Sequence, residues 1–320
     1  MITRIKLSNF KAHESLDLAG IPRLAALVGR NNSGKSAVLH AAALTKYRNF
    51  YRNPFLPLGE LKDIPNNPDR PVDILLSYKG TNRNIRCLMG PRTEQMNIGW
   101  TEQPPPKPDP SLGIFYLSAF RVASEGFQYT RMADEVGFQG ESTWNILHQL
   151  KANDDDRFAA IKEWISRMHM GITNIGTPTV QPNSGSIAPE SYGRKNNLVL
   201  NGSGVAAVLP IITQGILADP GQTLLIEEPE SHLHRGAMDE LLKFFGQCAE
   251  RDVQILFTTH SLDFLVSMSE RCEDKKIPED SKIFHIIREP SGSTRTDLYD
   301  PNLFYGISQT IKKDLAGRLF

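Results

Sequence analysis

The octet Gly29-Arg30-Asn31-Asn32-Ser33-Gly34-Lys35-Ser36 has the spacing G-x-x-x-x-G-K-[ST], and that spacing serves phosphate chemistry. The backbone N–H groups of Gly29, Asn31, Asn32, Ser33 and Gly34 would cradle phosphates, Lys35 would reach the β- and γ-phosphates, and the Ser36 hydroxyl would stand beside Mg²⁺. With Gly at about 7% of residues, such a string arises by chance on the order of once in a hundred chains of this length. The flanks lower that figure. Leu24-Ala25-Ala26-Leu27-Val28 is continuously apolar, as in a strand buried on both faces, and Ala37-Val38-Leu39-His40-Ala41-Ala42-Ala43-Leu44 favours helix.

A second candidate lies at Thr223-Leu224-Leu225-Ile226-Glu227-Glu228-Pro229-Glu230, an apolar strand that ends in two adjacent carboxylates. Ligands bind at the carboxyl ends of strands in α/β sheets. Glu227 would hold Mg²⁺, directly or through water, and Glu228 would orient and activate an attacking water. Alone, the pair would equally suit a solvated acidic turn opening a helix at Pro229; beside the glycine loop, the metal and base roles are favoured. The apolar strand Gln254-Ile255-Leu256-Phe257-Thr258-Thr259 runs into His260-Ser261. His260 would contact a γ-phosphate or the water-activating carboxylate, or else be a satisfied polar residue at a strand end. Asn201-Gly202-Ser203-Gly204 precedes Val205-Ala206-Ala207-Val208-Leu209, which is either an anion site at a helix N-terminus or a simple capped helix.

Such residues need a sheet to hold them. Thr3 to Leu7 alternates, and residues 72–78, 84–89 and 95–100 read as short strands of a meander. The prolines between 104 and 110 require an extended connector, after which 113–117 is another apolar strand. Helices are expected at about 142–151 and 155–170, whereas 175–195, rich in Pro, Gly, Ser and Asn, reads as a loop. Strands at 223–226, 253–258 and 283–287 then alternate with helices at 241–248 and 262–268. This order predicts an α/β sheet wrapped by helices.

Composition narrows the function classes. The 320 residues carry 36 Lys+Arg against 36 Asp+Glu and are 40% hydrophobic, an ordinary soluble composition. Zero net charge argues against a surface built throughout for nucleic acid. A local patch stays open at Lys46-Tyr47-Arg48-Asn49-Phe50-Tyr51-Arg52, through phosphate contacts and stacking, with a helix end of ordinary surface as the alternative. No apolar run nears the ~18 residues that span a bilayer, and Met1 to Lys6 lacks a signal-peptide core, so no membrane partner and a cytoplasmic location are expected. Cys87, Cys248 and Cys272 are odd in number and form no CxxC, so they are expected to be reduced and structural.

The order of these motifs resembles the ABC-type ATPase heads of the SMC, RecF and OLD families. The resemblance runs from residue 2 to about 290 and rests on Asn9-Phe10-Lys11, the glycine loop, Glu227-Glu228-Pro229-Glu230-Ser231-His232-Leu233-His234 and Thr258-Thr259-His260-Ser261. These look most like the OLD branch, which contains many bacterial ATPases of anti-phage and mobile-element systems. The resemblance implies a P-loop NTPase of ABC-ATPase type, with a mixed sheet, an antiparallel meander and a helical lobe. It implies one domain over 1–320, with lobes at about 1–118, 119–204 and 205–320. The activity would be ATP hydrolysis with Mg²⁺. Ser203 and Gly204 would be the signature residues that reach the ATP of a second subunit in a homodimer, and Glu230 to His234 would include the loop coupling the two sites. A separately encoded effector, such as a nuclease or toxin, would be the partner; a RecF-like DNA-binding ATPase of recombination and repair is the alternative.

Departures and absences matter too. The signature reads Asn-Gly-Ser-Gly-Val rather than Leu-Ser-Gly-Gly-Gln, and Glu227 stands where many such ATPases have Asp. Gln139 and Gln128 both compete for the Q-loop, and Arg121 is a further candidate site residue. Between the glycine loop and Ser203 there are prolines and short strands but no sustained heptads, so no coiled-coil arm is expected. Only about 30 residues follow the strand at 283–287, so no nuclease domain is expected.

Overall fold

The computed structural model describes residues 1–47, 63–81, 84–92, 95–103, 107, 109–121, 134–153, 156–181, 184–196, 198, 202–289, 293–301, 311, 313 and 314. The chain opens with the hairpin β1 (Ile2–Phe10) and β2 (His13–Ala19), followed by β3 (Leu24–Val28) and α1 (Lys35–Ala43). Next come β4 (Val72–Tyr78), β5 (Asn84–Met89), β6 (Met96–Trp100) and β7 (Ile114–Leu117). Helices α2 (Thr143–Ala152) and α3 (Asp156–Arg167) lead to β8 (Ile172–Gly176), β9 (Thr179–Gln181), β10 (Ser184–Gly185), β11 (Ala188–Ser191) and β12 (Arg194–Lys195). The remainder is α4 (Ser203–Leu217), β13 (Thr223–Glu227), α5 (Arg235–Glu250), β14 (Gln254–Thr259), α6 (Leu262–Glu273), β15 (Lys282–Arg288) and β16 (Thr294–Tyr299).

Two larger sheets organise these elements. The first is an antiparallel meander in the order β2-β1-β4-β5-β6, and the second is a mixed sheet in the order β16-β15-β3-β14-β13-β7. In the mixed sheet β7, β13, β14, β3 and β15 are parallel, and β16 closes one edge antiparallel to β15. The apolar runs of its central strands follow from cover on both faces. Leu24, Ala26 and Val28 of β3, Leu224 and Ile226 of β13, and Ile255 and Phe257 of β14 pack with α2 to α6. Their alternate neighbours Ala25, Leu27, Leu225 and Leu256 pack with α1 and the meander. The expected mixed sheet with an antiparallel meander is therefore present.

Two expectations need correction. Residues 175–195 are not an irregular loop: β8, β11 and β12 form one small sheet, and β9 and β10 another. Tyr192 and Gly193, with φ values of 50° and 74°, make the tight turn that joins β11 to β12. Ile175, Ile187 and Leu198 are buried beneath these strands. The edge strand β16, Thr-Arg-Thr-Asp-Leu-Tyr, went unpredicted because an edge strand with few apolar residues has no hydrophobic period to read. Among the described residues between α1 and α4 the α-helices are α2 and α3, of 10 and 12 residues, and neither forms a coiled-coil arm. No described helix is long and apolar enough to cross a membrane.

The topology decides where chemistry can occur. Strands β3, β14 and β13 are neighbours, with Val28 opposite Thr259 and Thr258 opposite Glu227. The segments beginning at Gly29, Glu228 and His260 thus emerge side by side at the carboxyl end of one sheet.

Candidate active site

The loop after β3 is shaped by its glycines. A Cβ at Gly29 would collide with the Ile286 carbonyl of β15, so only glycine lets β3 end this close to its neighbour. Gly34 caps α1 with φ 98°, and a Cβ there would strike the His13 ring. His13 Nε2 donates to the Gly34 carbonyl at 3.0 Å, and Thr294 Oγ1 stands 3.2 Å from its Nδ1. Burial pushes the pKa of His13 down, consistent with a neutral ring that donates from one nitrogen and accepts at the other. Lys35 Nζ donates to the carbonyls of Gly29 and Arg30 at 2.7 and 2.8 Å. Its pKa is lowered by burial, against the opposing pull of Glu228, Asp314, Glu230 and Glu227. No acidic residue occupies the first turn of α1, whose N-terminus presents N–H groups to an anion.

Glu227 sits on the other wall, in a buried network that sequence reasoning missed. His40 Nε2 lies 3.1 Å from Glu227 Oε1, and the hydroxyls of Ser36 and Tyr116 donate to the same carboxylate. Burial pushes Glu227 up, but the hydrogen bonds from His40, Ser36 and Tyr116 prevail and hold it below the usual carboxylate range. Lys11 Nζ donates to His40 Nδ1 at 3.2 Å, which leaves Nε2–H facing the Tyr116 hydroxyl at 3.0 Å and Glu227 Oε1 at 3.1 Å. Burial pushes Lys11 down to about 8, with Glu227 opposing. One signal was available: His40 lies four residues after Ser36 and so shares its helix face. Tyr116 comes from β7 and Lys11 from the turn between β1 and β2, and their contacts with His40 leave no local trace.

A carboxylate and a hydroxyl meeting at one point suit a hard cation such as Mg²⁺. Among the described residues no group of three His, Cys, Asp or Glu side chains forms a metal cage. Were Ser36 and Glu227 to hold Mg²⁺, phosphate oxygens and water would complete its shell, as is common for small hard cations. Because His40 orients Glu227, His40→Ala should raise the Mg²⁺ concentration for half-maximal ATPase activity by about tenfold. A magnesium titration that superimposes on wild type would remove His40 from that role.

Glu228 faces the loop from the end of β13. Its φ of 41° is unusual for a non-glycine residue, and its N–H donates to the Thr258 carbonyl and hydroxyl at 3.0 and 3.2 Å. Strained residues of this kind cluster at active sites. Glu228 Oε1 lies 3.1 Å from His260 Nδ1, so the two proposed catalytic side chains are in contact. Arg121 fixes the turn from behind: its guanidinium donates to the carbonyls of Ser118, Glu227 and Glu228 at 2.7, 2.7 and 2.8 Å. Burial pushes Arg121 down to about 10, opposed by Glu230, Glu227 and Glu228. A cleft of about 380 Å³ opens between the walls, lined by Lys11, Asn32, Lys35, Ser36, His40 and Glu228 among others.

The remaining candidates are elsewhere. Ser203 is exposed at the start of α4, which has Gly202 at its N-cap and no side-chain cap. Neither Ser203 nor Gly204 lines the cleft of its own chain. A Cβ at Gly204 would stand 2.9 Å from the His232 carbonyl, so glycine permits α4 to rest on the turn after Glu230. The backbone N–H of Gln139 donates to Glu141 Oε2 and Gln139 does not line the cleft, while Gln128 lies outside the described residues. Of the basic and aromatic stretch, Lys46 and Tyr47 both contact Glu135, and 48–52 lie outside the described residues.

The chain is similar to several known proteins. Residues 142–267 match the family described as "AAA domain, putative AbiEii toxin, Type IV TA system". An "ATP/GTP phosphatase" of Helicobacter pylori (strain ATCC 700392 / 26695) is 20% identical over 370 residues, spanning 95% of this chain and 97% of that protein. The crystal structure of the SmcHead bound to the C-winged helix domain of ScpA superposes with TM-score 0.66 at 12% identity, over 96% of this chain and 99% of that one. The SMC head domain from Thermotoga maritima gives TM-score 0.52 at 15% identity, over 93% and 99%. At such identities the likeness shows the fold, that of SMC heads. Fold, family match and site together make the chain a P-loop ATPase.

Proposed function

We propose that this ATPase pairs head to tail with a second copy when ATP is bound, and that the pairing controls a separately encoded effector in bacterial anti-phage defence. The observation that carries the hydrolytic part is the convergence of Lys35, Ser36, Glu227, Glu228 and His260 at the carboxyl ends of three adjacent parallel strands. ATP phosphates would enter the loop at 29–36, where Lys35 would exchange the Gly29 and Arg30 carbonyls for phosphate oxygens. Mg²⁺, held by Ser36 and Glu227, would neutralise phosphate charge. Glu228 would take a proton from the attacking water, and His260 would hold Glu228 in place through Oε1.

Pairing is supported by the uncapped, glycine-flanked N-terminus of α4, which is exposed and outside its own cleft. The effector role is supported by two likenesses. The matched family's description names a putative AbiEii toxin of a type IV system, and one of the two SMC heads was solved bound to the C-winged helix domain of ScpA. Magnesium-dependent ATP binding tests the core of the reading. Lys35→Ala should weaken ATP affinity by about tenfold or more, because a charge-assisted contact is worth about 1.5–3 kcal/mol. Ser36→Ala should weaken it only when Mg²⁺ is present. Calorimetry that finds both variants unchanged would move the nucleotide away from this loop.

A further inference from the structure

The loop at 29–36 has two sides, and the hydrolytic chemistry above uses one. On the other, a cavity of about 310 Å³ opens between the loop and the carboxyl end of β15, lined by Arg30, Ser33, Arg288, Glu289 and Asp314 among others. β15 lies parallel to β3 with His285 opposite Val28, so Arg288 ends its strand on the side where α/β sheets bind ligands. Asn31 and Asn32 line both this cavity and the nucleotide cleft, so the tip of the loop is a wall common to the two.

Several donors meet there. Among the described residues neither the Arg30 nor the Arg288 side chain has an ion-pair or hydrogen-bond partner. Ser33 is 3% exposed, and among the described residues its buried Oγ has no hydrogen-bond partner either. That hydroxyl lies on the β15 side of the loop, because a Cβ at Gly29 would meet both Ser33 Oγ and the Ile286 carbonyl of β15. A buried hydroxyl without a partner is destabilising until a ligand meets it.

Acceptors stand beside them. Asp314 is 2% exposed and its Oδ2 accepts from His285 Nε2 at 2.8 Å, which leaves Oδ1 as an acceptor. Glu289 Oε2 accepts from Ser293 Oγ at 2.7 Å. Two unpaired guanidinium forks next to a carboxylate that can still accept suit an oxyanion that carries its own O–H.

We propose that this cavity binds inorganic phosphate in its hydrogen phosphate form, and that it takes up the phosphate split from ATP in the adjoining cleft. The uptake rests on the nucleotide reading above; the site itself does not. Arg30 and Arg288 fork onto phosphate oxygens, Ser33 Oγ donates to another, and the phosphate O–H donates to Asp314. At about 30 Å³ to a water, the volume admits the ion with part of its hydration. Sulfate is the telling comparison. It has a similar shape and charge but no O–H at neutral pH, so it sets a bare oxygen against the carboxylate and is rejected.

The test uses the full chain with its loop at 29–36 filled by a non-hydrolysable ATP analogue and Mg²⁺, so that phosphate cannot enter there. Equilibrium dialysis with radiolabelled phosphate at neutral pH reads affinity and stoichiometry, with sulfate as competitor. Wild type should bind a single phosphate per chain, and sulfate should compete at least about tenfold less well than unlabelled phosphate. Arg288→Gln should weaken phosphate about tenfold or more while holding affinity for the analogue within about twofold. Asp314→Asn should let sulfate compete within about threefold of phosphate, because an amide can donate to either ion.

No phosphate on the analogue-filled wild type, sulfate competing as well as phosphate, or Arg288→Gln binding phosphate within about twofold of wild type would each overturn the site. The first two need no variant, so they decide the matter even where Asp314→Asn fails to fold. A folded Asp314→Asn chain that still rejects sulfate would overturn the selection given to that carboxylate. Failure of the analogue to bind wild type would instead overturn the nucleotide reading, and the dependence of phosphate binding on Arg288 would still be read on the chain without analogue.

Discussion

Glu228→Gln should bind ATP within about threefold of wild type and hydrolyse it about 10²- to 10⁴-fold more slowly, the range by which a positioned general base contributes. The substitution keeps the side chain's shape and its hydrogen bond to His260 but removes the capacity to accept a proton. Glu227 is a poor substitute, because His40, Ser36 and Tyr116 already engage its carboxylate and hold its pKa low. Single-turnover hydrolysis beside equilibrium binding separates the two effects. Loss of binding in Glu228→Gln would mean that the residue holds nucleotide rather than activates water. Hydrolysis at the wild-type rate would move the base elsewhere, with Glu227 the first to test.

The parts of this site that were legible in the sequence are those whose chemistry is local. A phosphate cradle needs its glycines, lysine and serine within eight positions, and a buried parallel strand advertises itself as an apolar run, so Glu227, Glu228 and His260 could be read as strand ends. The supporting groups were not legible in the same way. Tyr116 reaches His40 across 76 positions and Arg121 reaches the Glu228 carbonyl across 107. Only the folded sheet, which sets β7 beside β13, brings them together. Arg121 was marked as a candidate by its place after an apolar strand, yet its actual work, three carbonyls held at the Glu227-Glu228 turn, follows from tertiary structure. The misread 175–195 segment shows the converse limit, since Pro, Gly and Asn announce turns without revealing that Ile175 and Ile187 anchor small strands between them.

Ser203→Arg should abolish hydrolysis by the pure variant while leaving ATP binding to the monomer nearly intact. The Ser203 hydroxyl and the N–H groups behind it lie outside their own cleft, so a bulky cation there can obstruct only a site on another chain. Gly202 and Gly204 allow close approach of a backbone, and the helix N-terminus presents partial positive charge complementary to ATP. Mixing Ser203→Arg with Lys35→Ala turns this into a test of geometry. In a mixed dimer one site joins the unchanged Lys35 of the first chain to the unchanged Ser203 of the second and is intact; the other brings the two substitutions together and is dead. Random pairing at equal concentrations makes half of the dimers mixed, with one working site in two, so activity should recover to roughly a quarter of wild type. Each variant alone stays inactive. No recovery on mixing, together with ATP hydrolysis by wild-type chain that sediments strictly as a monomer, would show that each head completes its own site and that the exposed start of α4 serves something other than nucleotide.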